Sequence, residues 1–111
     1  MKKVNRITSN EDFATIIHST KPIRSECFLV YGKTNNLNYG RVGLSVSKKL
    51  GNAVIRNRIK RQVRAMCDEL INYSNFTYDV VIIVRIPYLN QEFSLLKQML
   101  KNNLERIGTN K

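Results

Sequence analysis

The run Tyr78-Asp79-Val80-Val81-Ile82-Ile83-Val84 constrains this chain more than any other segment. It is almost entirely apolar and β-branched, the pattern of a central strand covered on both faces. An earlier strand is legible from Arg41 to Ser47, where Val42, Leu44 and Val46 alternate with Gly43, Ser45 and Ser47. Between the two lies a helix that Asn52 is placed to cap. At about 100° per residue, Ile55, Ile59, Val63, Met66 and Leu70 gather on one helix face. The helix is expected to fade by Tyr73. Strand, helix and strand from 41 to 84 form a βαβ unit with two parallel strands.

The remaining elements fit around that unit. Ser9 can cap a first helix running to about Ser19, with Asp12 in capping-box position and Phe13, Ile16 and Ile17 as its apolar stripe. After Pro22, Cys27 to Lys33 is predicted as a strand with Cys27, Leu29, Tyr31 and Lys33 on one face and Phe28 and Val30 on the other. Lys33 to Gly40 is an Asn-rich turn. Pro87 closes the last strand, and Asn90 is placed to cap a final helix. Its stripe is Phe93, Leu96, Leu100, Leu104 and Ile107, with Gly108 at the carboxyl end and a frayed terminus beyond. One domain, 1–111, accommodates all of this.

Charge decides what such a domain meets. The 111 residues carry a formal net charge of +11, and no acidic residue occurs between Cys27 and Cys67. Arg56, Lys60 and Arg64 stand at i, i+4 and i+8, flanked by Asn57 and Arg61, with Arg58 at the opposite polar edge. Like charges at that spacing repel by a few tenths of a kcal/mol per pair, so the column weakens its own helix unless an anion joins it. Neighbours roughly 5–6 Å apart also suit a ladder of phosphates. The plain alternative is a solvated basic face. A hydrophobic content of 42% argues against a disordered basic tail. No apolar run approaches the ~20 residues of a membrane span, and a polar stretch follows Met1-Lys2-Lys3 where a signal peptide would be apolar. A cytoplasmic protein with no membrane partner is expected.

The string GLSVSKKLGNAVIRNRIKRQVR, residues 43–64, resembles the signature of the bacterial ribonuclease P protein subunit. Its centre is Arg56-Asn57-Arg58, preceded by Lys48-Lys49-x-Gly51-Asn52-Ala53-Val54. Asn10-Glu11-Asp12-Phe13 and the overall length extend the likeness, which weakens after Leu70. The resemblance implies an α+β domain ordered α-β-β-(β)-α-β-α, a sandwich whose mostly antiparallel central sheet contains the one parallel βαβ unit. Right-handed crossovers make up about 98% of such units; the resemblance implies the left-handed exception. It also implies partners: a catalytic RNA subunit that cleaves precursor tRNA with Mg2+ held mainly by the RNA, and the 5′ leader of that precursor. Lys48, Lys49, Asn52, Arg56, Asn57, Arg58, Lys60, Arg61 and Arg64 are then the candidate RNA contacts. Phe13, Ile17, Tyr31 and Lys33 are candidates for a leader cleft, although core packing is the other reading of Phe13 and a half-buried sheet residue that of Tyr31. Ile17 departs from the family, which has an aromatic there. Some family members hold a metal through carboxylates in the loop at 33–40; this loop has none. Asn57, flanked by two arginines, is a candidate for orienting a phosphate or a metal-bound water, the other reading being a polar surface residue.

Chemistry by the chain alone is not expected. Glu11, Asp12, Glu26, Asp68, Glu69, Asp79, Glu92 and Glu105 are scattered, whereas metal-dependent phosphodiester cleavage gathers several carboxylates. His18 has no obvious acid–base or ligand partner. Cys27, in a strand, and Cys67, on a helix edge, lack metal-like spacing and are expected as two buried free thiols. No small-molecule substrate is implied. Two other readings stay open: a small basic ribosomal or RNA-chaperone protein, and an autonomous nuclease.

Overall fold

The computed structural model of the chain describes residues 1–107. In chain order the main elements are α1 (Asn10–Ser19), β1 (Ile23–Arg24), β2 (Phe28–Thr34), β3 (Arg41–Ser45), α2 (Ala53–Leu70), β4 (Tyr78–Val84) and α3 (Phe93–Glu105). The strands form one sheet in the order β1-β2-β4-β3. β4 pairs antiparallel with β2, Phe28 opposite Val84, and parallel with β3, Arg41 opposite Asp79. This is the expected α+β arrangement with a single parallel pair. The free edge of β3 is partly covered, because Arg6 bridges Val42 and the Ile7 amide donates to the Val42 carbonyl at 3.0 Å. Among the described residues no helix is long and apolar enough to cross a membrane.

The two sheet faces are covered unequally. On one, Phe28, Val30, Val42, Val80 and Ile82 pack against Ile59, Val63 and Met66 of α2 and Leu96, Leu100 and Leu104 of α3. On the other, among the described residues, Val81 packs with only Ile7 and Ile16 as buried partners, fringed by half-buried Phe13, Ile17, Tyr31 and Ile83. A ten-residue helix offers one short stripe, so α1 leaves part of its face open. β4 is nonetheless buried on both sides, as its composition requires.

Asp79 is the charged exception in β4. Arg41 donates to it twice, Nε to Oδ1 at 2.9 Å and Nη2 to Oδ2 at 2.5 Å, and Asn35 Nδ2 donates to Oδ1 at 2.8 Å. Burial pushes the Asp79 carboxyl up, but these hydrogen bonds and the nearby positive charge outweigh it and hold the group below the usual carboxylate range.

Several local expectations are corrected. β2 begins at Phe28, and Cys27 lies in the main core with it instead of on the Tyr31 face. The chain turns there, the Ser25 amide donating to the Phe28 carbonyl at 2.9 Å, which breaks the alternation. Cys67, at the helix edge, is fully buried as expected and joins Val63 and Met66 in the main core. Both cysteines are free, and burial pushes the Cys67 thiol up to about 12. Ser9 caps α1 through the Asp12 amide, but Asp12 does not complete a reciprocal box; its carboxylate faces Arg41 at 3.7 Å. α2 does end before Tyr73 as expected, at Leu70, where Ile71 turns extended and buries its side chain. Asn90 does not cap α3. Pro87 opens a 3-10 turn from Ile86 to Asn90 that sets Tyr88 edge-on to Phe28, and α3 starts after Glu92. Phe93, expected in the core stripe, is 45% exposed. Gly108 and the expected frayed end lie outside the described residues.

Candidate nucleic-acid interface

The approach to α2 is built before its charges are. Leu50 is buried and anchors a one-turn 3-10 helix, leaving Lys48 and Lys49 exposed. Gly51 follows at φ 143°, and a Cβ there would stand 2.9 Å from Ile55 Cδ1, so both torsion and space require glycine. Asn52 Oδ1 then accepts from the Ile55 amide at 3.0 Å, and Arg56 Nε donates back to the Gly51 carbonyl at 3.2 Å. The turn therefore aims Arg56 as well as starting the helix. Gly51→Ala is expected to cost about 1–3 kcal/mol of stability and to weaken RNA binding, read by thermal melting and titration; an unchanged melt would remove the strain argument.

Along α2, Asn57, Arg58 and Arg61 are exposed, while Arg56, Lys60 and Arg64 are half-buried at the edge of the packed face. Among the described residues none of Lys48, Lys49, Arg56, Arg58, Lys60, Arg61 or Arg64 is in an ion pair. Asn57 stands between cations. No group of three or more His, Cys, Asp or Glu side chains converges among the described residues, so no carboxylate cluster joins it.

The column does not end on open solvent. Lys60 and Arg64 form one wall of a groove of about 440 Å³ whose other side is made by Ile7 and Phe13, with Arg6, Thr8, Asn10 and Ser45 completing it. Two sites that are separate in sequence are thus opposite walls of one channel beside β3. Phe13 reaches it because Gly43 lacks a side chain: a Cβ at position 43 would lie 2.6 Å from Phe13 Cζ. Arg6 and the polar trio are not evident from the sequence. The available signal was a lone cation just before the Ser9 cap, which means little until the 5–7 segment is known to pair with β3.

Tyr31, Ile17 and Lys33 lie apart from this groove. Register puts Tyr31, Val81 and Gly43 in one row across β2, β4 and β3. At about 4.8 Å per strand, Tyr31 is therefore roughly 10 Å from the position Phe13 covers. Ile17 and Tyr31 pack at the margin of the small cluster under α1. Lys33 is opposite Asp79, two residues further along β2. The four candidates share one sheet face but span it. A larger depression of about 890 Å³ between the end of α2, residues 71–76 and α3 is remote from them. Lys97 and Glu69 pair across it, so it lacks the unopposed charge that a polyanion needs.

Comparison with known proteins places this arrangement among relatives. The family described as Ribonuclease P has a sequence model that matches residues 1–108. The Ribonuclease P protein component of Mycoplasma mycoides is 38% identical over 108 residues, spanning 96% of this chain and 99% of that protein. That of Bacillus cereus strain AH187 is 42% identical over 110 residues, 97% and 95% of the two. The Staphylococcus aureus RNase P protein structure superposes with a TM-score of 0.83 at 33% identity, covering 96% of this chain and 97% of that one. The Thermotoga maritima RNase P protein gives 0.79 at 30% identity, over 92% and 96%.

Proposed function

Since this chain belongs to the ribonuclease P protein family, we propose that it is the protein subunit of a tRNA-processing endoribonuclease, binding the catalytic RNA and the 5′ leader of precursor tRNA in the cytoplasm. The observation that carries this reading is the groove beside β3, with an aromatic wall from α1 and an acid-free cationic wall from α2. Unpaired nucleotides need both: a ring for the base and cations for the backbone. The outer cations of α2 and the Lys48-Lys49 turn remain available to a second, larger RNA surface. Tyr31, Ile17 and Lys33 extend the leader path across the sheet face.

The chain itself supplies no cleavage chemistry in this reading. Mg2+ supplies Lewis-acid activation in phosphodiester hydrolysis, but the residues here do not fit a metal site of their own. Asn57 offers one neutral amide oxygen among arginines, where a divalent cation is repelled. We therefore assign Asn57 to a phosphate and the metal to the RNA. The protein's part is to screen phosphate charge and hold the leader in line.

Two measurements test this. Precursor tRNA incubated with the chain alone, with the catalytic RNA alone and with both at low Mg2+ should be cut at the 5′ site only where the RNA is present, and faster with the protein. Cleavage by the chain alone would point to an autonomous nuclease, and no effect on the RNA to a different ribonucleoprotein. Phe13→Ala should weaken binding of leader-bearing precursor by about 1–3 kcal/mol, the worth of one stacked base, while mature tRNA is unchanged. Equal weakening of both ligands would return Phe13 to a packing role.

A further inference from the structure

Arg58 points away from the phosphate column, and the structure shows what it points toward. On the α3 side of α2 it lines a notch of about 170 Å³ together with Gln62, Tyr88, Leu89 and Phe93. The floor is fixed, since Tyr88 is buried and its hydroxyl donates to Gln62 Oε1 at 2.9 Å. The rim is not: Leu89 is 47% and Phe93 45% exposed, and neither is needed to close the core beneath. No acidic side chain lines the notch, and Arg58 has no ion-pair partner among the described residues.

We propose that this notch receives one unstacked base of the RNA that binds α2, with Phe93 as the stacking surface and Arg58 on the adjoining phosphate. Size excludes the commonest alternative, because small-molecule sites run to about 300–1,000 Å³ and this one is smaller. Charge selects the class of occupant: an aromatic ring beside an unopposed guanidinium suits a nucleotide, which has a π-face and an anion in adjacent positions. Position selects the source. The notch and the β3 groove flank α2 on opposite sides, so a ligand reaching both must wrap the helix, as a folded RNA can and a short leader cannot. The inference rests on the reading that α2 binds RNA.

The test titrates the full chain with a transcript of the ribonuclease P RNA from the same genome, without precursor tRNA, across a range of salt. Phe93→Ala should weaken binding about 5- to 150-fold at every salt concentration and leave the log–log salt slope unchanged. Arg58→Ala should make that slope shallower by about 0.7–0.9, the share of a single phosphate. Phe93→Leu keeps apolar area in α3 without a ring and should bind as weakly as Phe93→Ala, whereas Phe93→Tyr should retain affinity. Wild-type affinity in both Phe93→Ala and Phe93→Leu overturns the notch assignment while leaving RNA binding by α2 intact. So does sedimentation showing a wild-type dimer that Phe93→Ala dissolves, which would assign the patch to a second copy of the chain. Failure of the wild-type chain to bind the transcript overturns the family-level reading and the notch together.

Discussion

Replacing Arg56, Lys60 and Arg64 together with alanine is expected to weaken RNA binding roughly a thousandfold at low salt. The three side chains form one column without an acidic partner among the described residues, and two of them wall the β3 groove. A hydrogen bond to a charged group is worth about 1.5–3 kcal/mol; three at the lower bound reach about 4.5 kcal/mol. The mechanism leaves a signature that simple unfolding does not. Neutralising one phosphate accounts for about 0.7–0.9 of the log–log salt slope, so the slope of the triple variant should fall by roughly 2 to 3. The isolated fold should change little, because relief of like-charge repulsion at i, i+4 offsets loss of the Arg56 bond to the Gly51 carbonyl. A triple variant with an undiminished slope would move the RNA interface off α2.

Asp79→Ala is expected to cost about 3 kcal/mol of stability at neutral pH and to lower the melting temperature by on the order of 10 °C. Removing one partner strands the other: Arg41 would keep its charge beside β4 with only the half-exposed Asp12 carboxylate, 3.7 Å away, to face it. The figure is at the low end for a buried pair because the Arg41 side chain keeps 24% of its surface exposed. The pH dependence follows from the lowered Asp79 pKa. Its stabilising contribution is fully present above the unfolded carboxylate value, about 3.9, and is lost as pH falls through the lower folded value. The wild-type chain should therefore lose this increment in acid, and Asp79→Ala should show a shallower loss over the same window. Replacing both partners, Arg41→Met with Asp79→Leu, should restore most of the loss. Wild-type melting of Asp79→Ala at neutral pH would show that the pair contributes nothing net.

What the sequence determined by itself is the set of features governed by near neighbours. Tyr78–Val84 had to be a strand covered on both faces because no residue but Asp79 offers it a hydrated side. The alternation from Arg41 and the period from Ile55 to Leu70 placed β3 and the buried face of α2, and Asn52 caps as its side chain and position require. The cationic column was legible for the same reason, since i, i+4 spacing defines a helix face without reference to the rest of the chain.

Tertiary structure alone decided what those faces meet. Asp79 was one of eight scattered acids until the parallel register set Arg41 opposite it. Cys27 left the Tyr31 face for the main core because a turn at residues 25–28 overrode local alternation. The segment before Ser9 had no evident role until Ile7 paired with Val42, bringing Arg6 and Thr8 to the groove. Phe93 left the core stripe because Tyr88 reached Phe28 first and the intervening residues were used in a 3-10 turn. Phe13 and Lys60, far apart in sequence, became facing walls because Gly43 lets a ring lie on the strand between them. Side-chain periodicity is a local property of the backbone; the distance between two faces is set by strand order, register and the volume of whatever packs between.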